Sequence, residues 1–191
     1  MPEPAAHQVD PLALLERAVG YTRGSLGAVA PSSVGLATPC CGWDVATLIA
    51  HLDDSLAALQ EGAGQGVSLL PAPVPRIPAT DPAAPARARA TALLGAWVAR
   101  GSAPTAVADR AVTRDLVLLA GAVEIAVHGW DLARGCGASR PLPDPLARDL
   151  LPVAHRLLAA HRPDCLGAPL LVPPLAPAGT RLLGFVGRRA W

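Results

Sequence analysis

The chain has 191 residues, 51% of them hydrophobic and 16% charged, which suits one domain with a core large enough to stand without disulfide staples. Its 16 basic residues, all arginine, meet 15 acidic ones for a net charge of +1. The basic excess that a nucleic-acid phosphate backbone selects is therefore missing. No run of eighteen apolar residues is free of charge, so no membrane-spanning helix is expected, and Met1 to Asp10 lacks the basic-then-apolar order of a secretory signal. The cysteines stand at 40, 41, 136 and 165 with no Cys-x-x-Cys pair, and neighbours such as Cys40 and Cys41 bridge only under strain. Free thiols in a reducing cytoplasm are the expectation, with a small molecule as partner, no nucleic acid and no membrane.

Three Asp-Pro pairs, Asp10-Pro11, Asp81-Pro82 and Asp144-Pro145, read as helix starts: an acid able to cap, then proline at the first helical position. After Asp10, the residues Leu12, Leu15, Val19, Thr22, Leu26 and Val29 alternate spacings of three and four, which predicts a bundle helix ending near Pro31. A second helix is predicted from about Gly42 to Glu61, with Val45, Leu48, Ile49, Leu52, Leu56 and Leu59 on one stripe. Gly62 to Thr80 is Gly-rich, then Pro-rich, and reads as a long loop or lid. The third helix follows Asp81, carries Leu93, Leu94 and Trp97, and ends near Gly101. The fourth runs from about Thr113 to Arg134, closes at Gly135 and is apolar on every face from Leu116 to Val127, the mark of a buried central helix. The fifth follows Asp144 and ends near Arg162-Pro163, with Pro152 expected to kink or break it. Gly167 to Thr180 reads as extended, and Arg181 to Arg188 as a short last helix. Strand patterning is weak throughout, so the fold class is all-α.

The predicted central helix contains three polar residues, Glu124, His128 and Asp131, at spacings that place them in one sector. A carboxylate buried there must be paired or bound to a metal. Glu124 and His128 offer two ligands from one face, and His51, on the flank of the second helix, offers a third. Imidazole and carboxylate ligands suit a divalent transition metal, and three of them leave a coordination position open. Asp131 is placed to orient His128 from behind, and Asp54 stands in the same relation to His51. The same spacing is equally that of a Glu and a His that hydrogen-bond each other. Cys40, ahead of the second helix, reads as a small buried hydrophobe. His155 and His161 read as helix C-terminal residues interacting with the dipole. Arg76, Arg89, Arg100 and Arg134 are open candidates for an acidic substrate.

Two blocks and a tail carry a family resemblance. Thr38-Pro39-Cys40-Cys41-Gly42-Trp43-Asp44-Val45, followed by Leu48-Ile49-Ala50-His51-Leu52, resembles the opening block of the mycothiol-dependent maleylpyruvate isomerase N-terminal-like proteins of the DinB-like superfamily. Glu124-Ile125-Ala126-Val127-His128-Gly129-Trp130-Asp131-Leu132-Ala133-Arg134 resembles their second block, and Arg181-Leu182-Leu183-Gly184-Phe185-Val186-Gly187-Arg188 is similar to their closing one. The resemblance implies a DinB-like four-helix bundle over 1–163, with an extra C-terminal helix and a short extended tail in an extension at 164–191. It also implies a divalent metal, zinc first, on His51, Glu124 and His128, with Asp131 and Asp54 behind them. Trp43 and Trp130, one in each block, are expected to pack together around the site.

The implied activity is a metal-dependent thiol S-transferase or isomerase, acting with mycothiol or a similar thiol on a small electrophile, in a monomer or homodimer. The second domain of the isomerase itself has no counterpart here beyond Pro163 to Trp191. A biosynthetic tailoring enzyme on the same scaffold, with metal as Lewis acid or with metal-free acid–base groups, is one alternative. A non-enzymatic metal-binding protein is the other.

Overall fold

The computed structural model describes residues 9–40, 42–64, 80–101, 104–107, 110–158 and 166–190. Its order is α1 (Pro11–Leu26), α2 (Val45–Ala63), α3 (Ala84–Arg100), a hairpin of β1 (Thr105–Val107) and β2 (Arg110–Val112), α4 (Arg114–Gly135), α5 (Asp144–Leu158) and α6 (Ala178–Phe185). The class is all-α, as the spacing predicts. The predicted loop of Gly62 to Thr80 lies at 65–79 outside the described residues, as do Cys41, Arg76, His161, Cys165 and the expected boundary at 163–164.

The Asp-Pro signals divide by mechanism. Asp10 caps α1 as expected, its Oδ1 accepting from the backbone amide of Leu12 at 2.9 Å. Asp81 stands ahead of α3 but pairs with Arg87 instead, and the capping position, Ala83, has no side-chain cap. Asp144 is itself the first residue of α5, and its carboxylate accepts from the amide of Ala178, at the start of α6, at 2.8 Å. It thereby ties α6 to α5 by satisfying an amide that has no partner within its own helix. α2 begins at Val45 rather than Gly42, because Asp44 supplies the cap by accepting from the Thr47 amide at 2.8 Å. α5 runs through Pro152 without a break. Both Pro152 and Arg148, whose carbonyl loses its helical donor, are exposed, so water can serve that carbonyl.

α4 is the central element. α1 makes the most extensive helix pair with it, α2 packs against α3 and α4, and α5 bridges α4 to α6. The predicted α2 stripe is buried in full, and Leu15, Val19, Thr22 and Leu26 of the α1 seam are buried too. α4 departs from the expectation of burial on every face. Its second half is enclosed, but Leu116 is 44% exposed and Ala120 is open to solvent. α4 is long and apolar enough to cross a membrane, and 72% of that stretch is buried inside the bundle.

The hairpin is the element the sequence does not announce. Its strands pair antiparallel, Thr105 with Val112 and Val107 with Arg110. Three residues are too few to establish an alternating pattern. The Thr105 hydroxyl donates to the Gly62 carbonyl at 2.8 Å and holds the hairpin to the end of α2.

α1 and α4 approach closely at Gly129, where an added Cβ would lie 2.2 Å from the Thr22 hydroxyl oxygen. That hydroxyl donates to the Ile125 carbonyl at 2.7 Å. Gly129→Ala is therefore expected to destabilise the fold by roughly 1–3 kcal/mol in urea denaturation. Gly95→Ala, in exposed α3 with nothing within 4 Å of the new methyl, is expected to stabilise it by roughly 0.5–1 kcal/mol. Equal effects of the two would refute the close packing of α1 on α4.

Candidate functional site

Glu124 and His128 lie one turn apart on α4, and His51 faces them from α2. His51 Nε2 is 2.6 Å from Glu124 Oε1, and His128 Nε2 is 3.3 Å from the same oxygen. His128 Nδ1 is 3.2 Å from Asp131 Oδ2. The rings of His51 and His128 meet edge to face at 4.9 Å between centroids. Trp43 packs on both, 4.8 Å from His51 and stacked at 5.9 Å on His128.

Burial grades the cluster. His128 is 2% exposed and Asp131 is 0%. The Glu124 side chain is 41% exposed, because it opens onto a cavity of about 560 Å³ between α2, the hairpin, the first half of α4, the end of α5 and the tail.

Behind Asp131 stands Arg188, itself 2% exposed. Its Nε and Nη2 donate to the Asp131 carboxylate at 3.0 Å each, and its Nη1 donates to the Val186 carbonyl at 3.2 Å. The end of α6 aims it. The Gly187 amide donates to the Gly184 carbonyl at 3.0 Å, and the Arg188 amide to the Leu183 carbonyl at 2.7 Å. This is a Schellman closure, and it places Gly187 at φ 79, in the left-handed region. Arg188 is the last residue of the closing block. The Gly187-Arg188 step after an apolar helical stretch is the signal that marks a helix stop there.

The charges explain one another. Burial alone would push His128 down, but hydrogen bonds to Asp131 and Glu124 outweigh it and raise its pKa to about 9. Burial pushes the Glu124 carboxyl up, but hydrogen bonds from His128 and His51 together hold it below the usual carboxylate range. With both imidazole nitrogens facing carboxylate oxygens, His128 is a cation at neutral pH.

Two sets of potential donors lie within 4.8 Å of one another: His51, Glu124 and His128, and Cys40, His128 and Asp131. The first fits a divalent ion in type, two imidazole nitrogens and a carboxylate oxygen. Two donors around a tetrahedral zinc stand ~3.4 Å apart, close to the His128–Glu124 separation. The second set does not fit. It is wholly buried, and the Arg188 guanidinium already neutralises Asp131. Cys40 comes beside His128 through the turn that precedes α2, where the Trp43 amide donates to the Cys40 carbonyl at 3.1 Å. Its distance from His51 along α2 gave no sign of that proximity.

Three expectations are not met by the geometry. Asp54 is exposed on α2 and lies in the field of Arg89, away from the cluster. Trp130 points to the other side of α4, where it lines a smaller cavity of about 270 Å³ and lies under Arg134. It does not join Trp43, because two residues along a helix turn the side chain by about 200°. Arg89 is engaged by Asp53, and Arg100 by the carbonyls of Ala63, Gly64 and Pro104, so neither points at a substrate. His155 stacks on Phe185 at 3.9 Å.

The chain is similar in fold to a mycothiol-dependent maleylpyruvate isomerase. The match to that crystal structure has a TM-score of 0.51 at 22% identity, and covers 74% of this chain and 66% of that one. No family model matches the chain, and no curated protein matches it in sequence. The fold is thus all-α and shared with that structure, and this chain spans just under two thirds of the isomerase's length.

The titration of the pair sets a pH profile for the cation-free protein. His128's folded pKa lies above its unfolded value of 6.5, so its contribution is full below that pH and is lost as pH rises through about 9. Glu124's folded pKa lies below its unfolded value of 4.5, so its contribution is present above that pH and is lost as pH falls. Thermal unfolding of chelator-treated protein should lose stability across the upper window, and His128→Gln should flatten that limb. An unchanged limb in the variant would refute the assignment.

Arg188→Met leaves the Asp131 charge buried without its partner. A loss of roughly 3–5 kcal/mol in urea denaturation is expected. The double variant Arg188→Met with Asp131→Leu should recover part of it. No recovery in the double variant would refute the pairing.

Proposed function

We propose that the chain is a metal-dependent thiol S-transferase or isomerase, using a low-molecular-weight thiol such as mycothiol on a small electrophilic substrate, with His51, Glu124 and His128 holding the divalent ion, zinc first. The observation that carries this reading is the convergence of two imidazole nitrogens and a carboxylate within 4.8 Å at the edge of a cavity large enough for a substrate. The shared fold with a thiol-dependent isomerase supports it at the level of architecture.

A divalent ion held there by His51, Glu124 and His128 would lower the pKa of a thiol and so supply a thiolate near neutral pH. The chain's own residues do the rest. Asp131 accepts from His128 Nδ1 and so directs Nε2 toward Glu124 and His51. Glu124 brings the negative charge that offsets the ion. Trp43 covers the two imidazoles and keeps water from that side. The cavity holds the electrophile next to the cluster. The extension at 164–191 supplies Arg188. This reading sets the enzyme in the reducing cytoplasm, with no nucleic-acid or membrane partner.

One observation favours a second reading. His51, Glu124 and His128 already form a closed hydrogen-bond network, which would suit acid–base catalysis without a metal.

Metal analysis of the native protein decides between them. About one divalent ion per chain is expected, with Glu124→Gln and His128→Ala each losing most of it along with mycothiol conjugation. Because His128 must give up its Nε2 proton to become a ligand, metal uptake at neutral pH should release about one proton, read from calorimetry in buffers of different ionisation enthalpy. A metal-free native protein whose activity both variants abolish would support the acid–base reading instead. Full activity in both variants would overturn both readings.

A further inference from the structure

We infer that the cavity beside Glu124 takes an uncharged substrate with an apolar body, an aryl- or alkyl-substituted carbonyl compound, and discriminates against carboxylates. That the substrate is an electrophile rests on the function proposed above; the preference for an apolar, uncharged body rests on the cavity walls alone.

At about 560 Å³ the cavity is in the size range of small-molecule sites. Val107 and Val112 of the hairpin, Leu116, Val117 and Val123 of α4 and Leu157 of α5 supply its main surfaces. Ser55, Glu124 and His128 are the polar side chains among the described lining residues, and Glu124 and His128 already hydrogen-bond within the cluster. No arginine is among those lining residues, and the chain contains no lysine. Two of the described arginines are engaged elsewhere, Arg100 on backbone carbonyls and Arg188 on Asp131.

A carboxylate entering this space would give up its hydration and find no arginine among the described lining residues to replace it, and the His128 imidazole is already engaged by Glu124 and Asp131. It would also approach the Glu124 carboxylate, which opens onto the cavity. An apolar body meets the opposite balance. It covers apolar wall that is otherwise wetted, including Leu116, whose 44% exposure is high for a leucine. The short hairpin acquires a role here: its two valines build a wall where a loop without side-chain alternation would leave the cavity open.

The test is equilibrium binding of a matched, unreactive pair, benzylacetone and benzylpyruvate, which share the phenyl chain and the ketone and differ by one carboxylate. Both are titrated into chelator-treated protein and followed by ligand-observed NMR. Benzylacetone should bind at least roughly tenfold tighter than benzylpyruvate. Ala120→Phe projects a ring into the cavity from a solvent-exposed position on α4 and should weaken benzylacetone by roughly tenfold or more. Val117→Arg places a cation in the wall and should reverse the preference. Equal or tighter binding of benzylpyruvate by the unmodified protein overturns the inference, and so does undiminished benzylacetone binding by Ala120→Phe. The two proposals fail separately. A protein without metal or thiol chemistry that still prefers benzylacetone refutes the function and leaves the cavity assignment intact. A thiol transferase that prefers benzylpyruvate does the reverse.

Discussion

The buried carboxylate of Asp131 is the constraint from which the site follows. It lies on a helix otherwise enclosed by apolar packing, and a charge in that position persists only if it is paired. Arg188 provides the pair by two parallel hydrogen bonds, from a tail that the Gly187 turn aims back into the bundle. The Asp131 carboxylate retains capacity to accept from His128 Nδ1. That fixes the imidazole, whose other nitrogen then faces Glu124 and, beyond it, His51. One line of alternating charge runs from Arg188 on the tail to Glu124 on α4, and His51 of α2 hydrogen-bonds to its end. Docking of the tail and orientation of the site are therefore a single structural event.

α4 has two environments along its length, and the site sits where they meet. From Ile125 to Ala133 its residues are closed in by α1, α2 and α5. Before that, Leu116, Val117 and Ala120 look into the cavity. Glu124 lies at the change, half open, and His128 lies one turn inside it. A ligand in the cavity can thus reach Glu124 while the proton on His128 is shielded from bulk water. A helix buried at both ends would hold the same residues with no access to them, and an exposed one would let water screen the charges.

The sequence made α1 and α2 legible because each carries a continuous stripe of three-four spacing, and the fit was closest in α2, whose six predicted core positions are all buried. The grouping of Glu124, His128 and Asp131 was legible for the same geometric reason. What was missed has physical causes. An apolar run reads alike whether it faces a core or a cavity, so the sequence of α4 does not mark where its burial ends. Asp-Pro marks a chain direction, but its carboxylate goes to whichever donor is near: Arg87 for Asp81, the Ala178 amide for Asp144. Cys40 and Arg188 reach the site through turns, and turn geometry brings together residues that spacing along a helix cannot relate. Metal binding and mutual hydrogen bonding use the same residue types at the same spacing, which is why the sequence left both open.

Charge balance connects the proposed chemistry to the cavity. Without a bound ion, Arg188 and a protonated His128 offset Asp131 and Glu124, and the cluster is neutral as a whole. With a divalent ion in place of the His128 proton, the cluster would carry a single positive charge in surroundings of low dielectric. A thiolate would restore neutrality, and the cluster would then have no charge left to offer a second anion. A substrate bearing carboxylates would upset that balance at the moment the nucleophile is in place, whereas an uncharged one would not. The apolar walls and the charge count of the buried line thus favour the same kind of molecule on independent grounds, one by desolvation and the other by electrostatics.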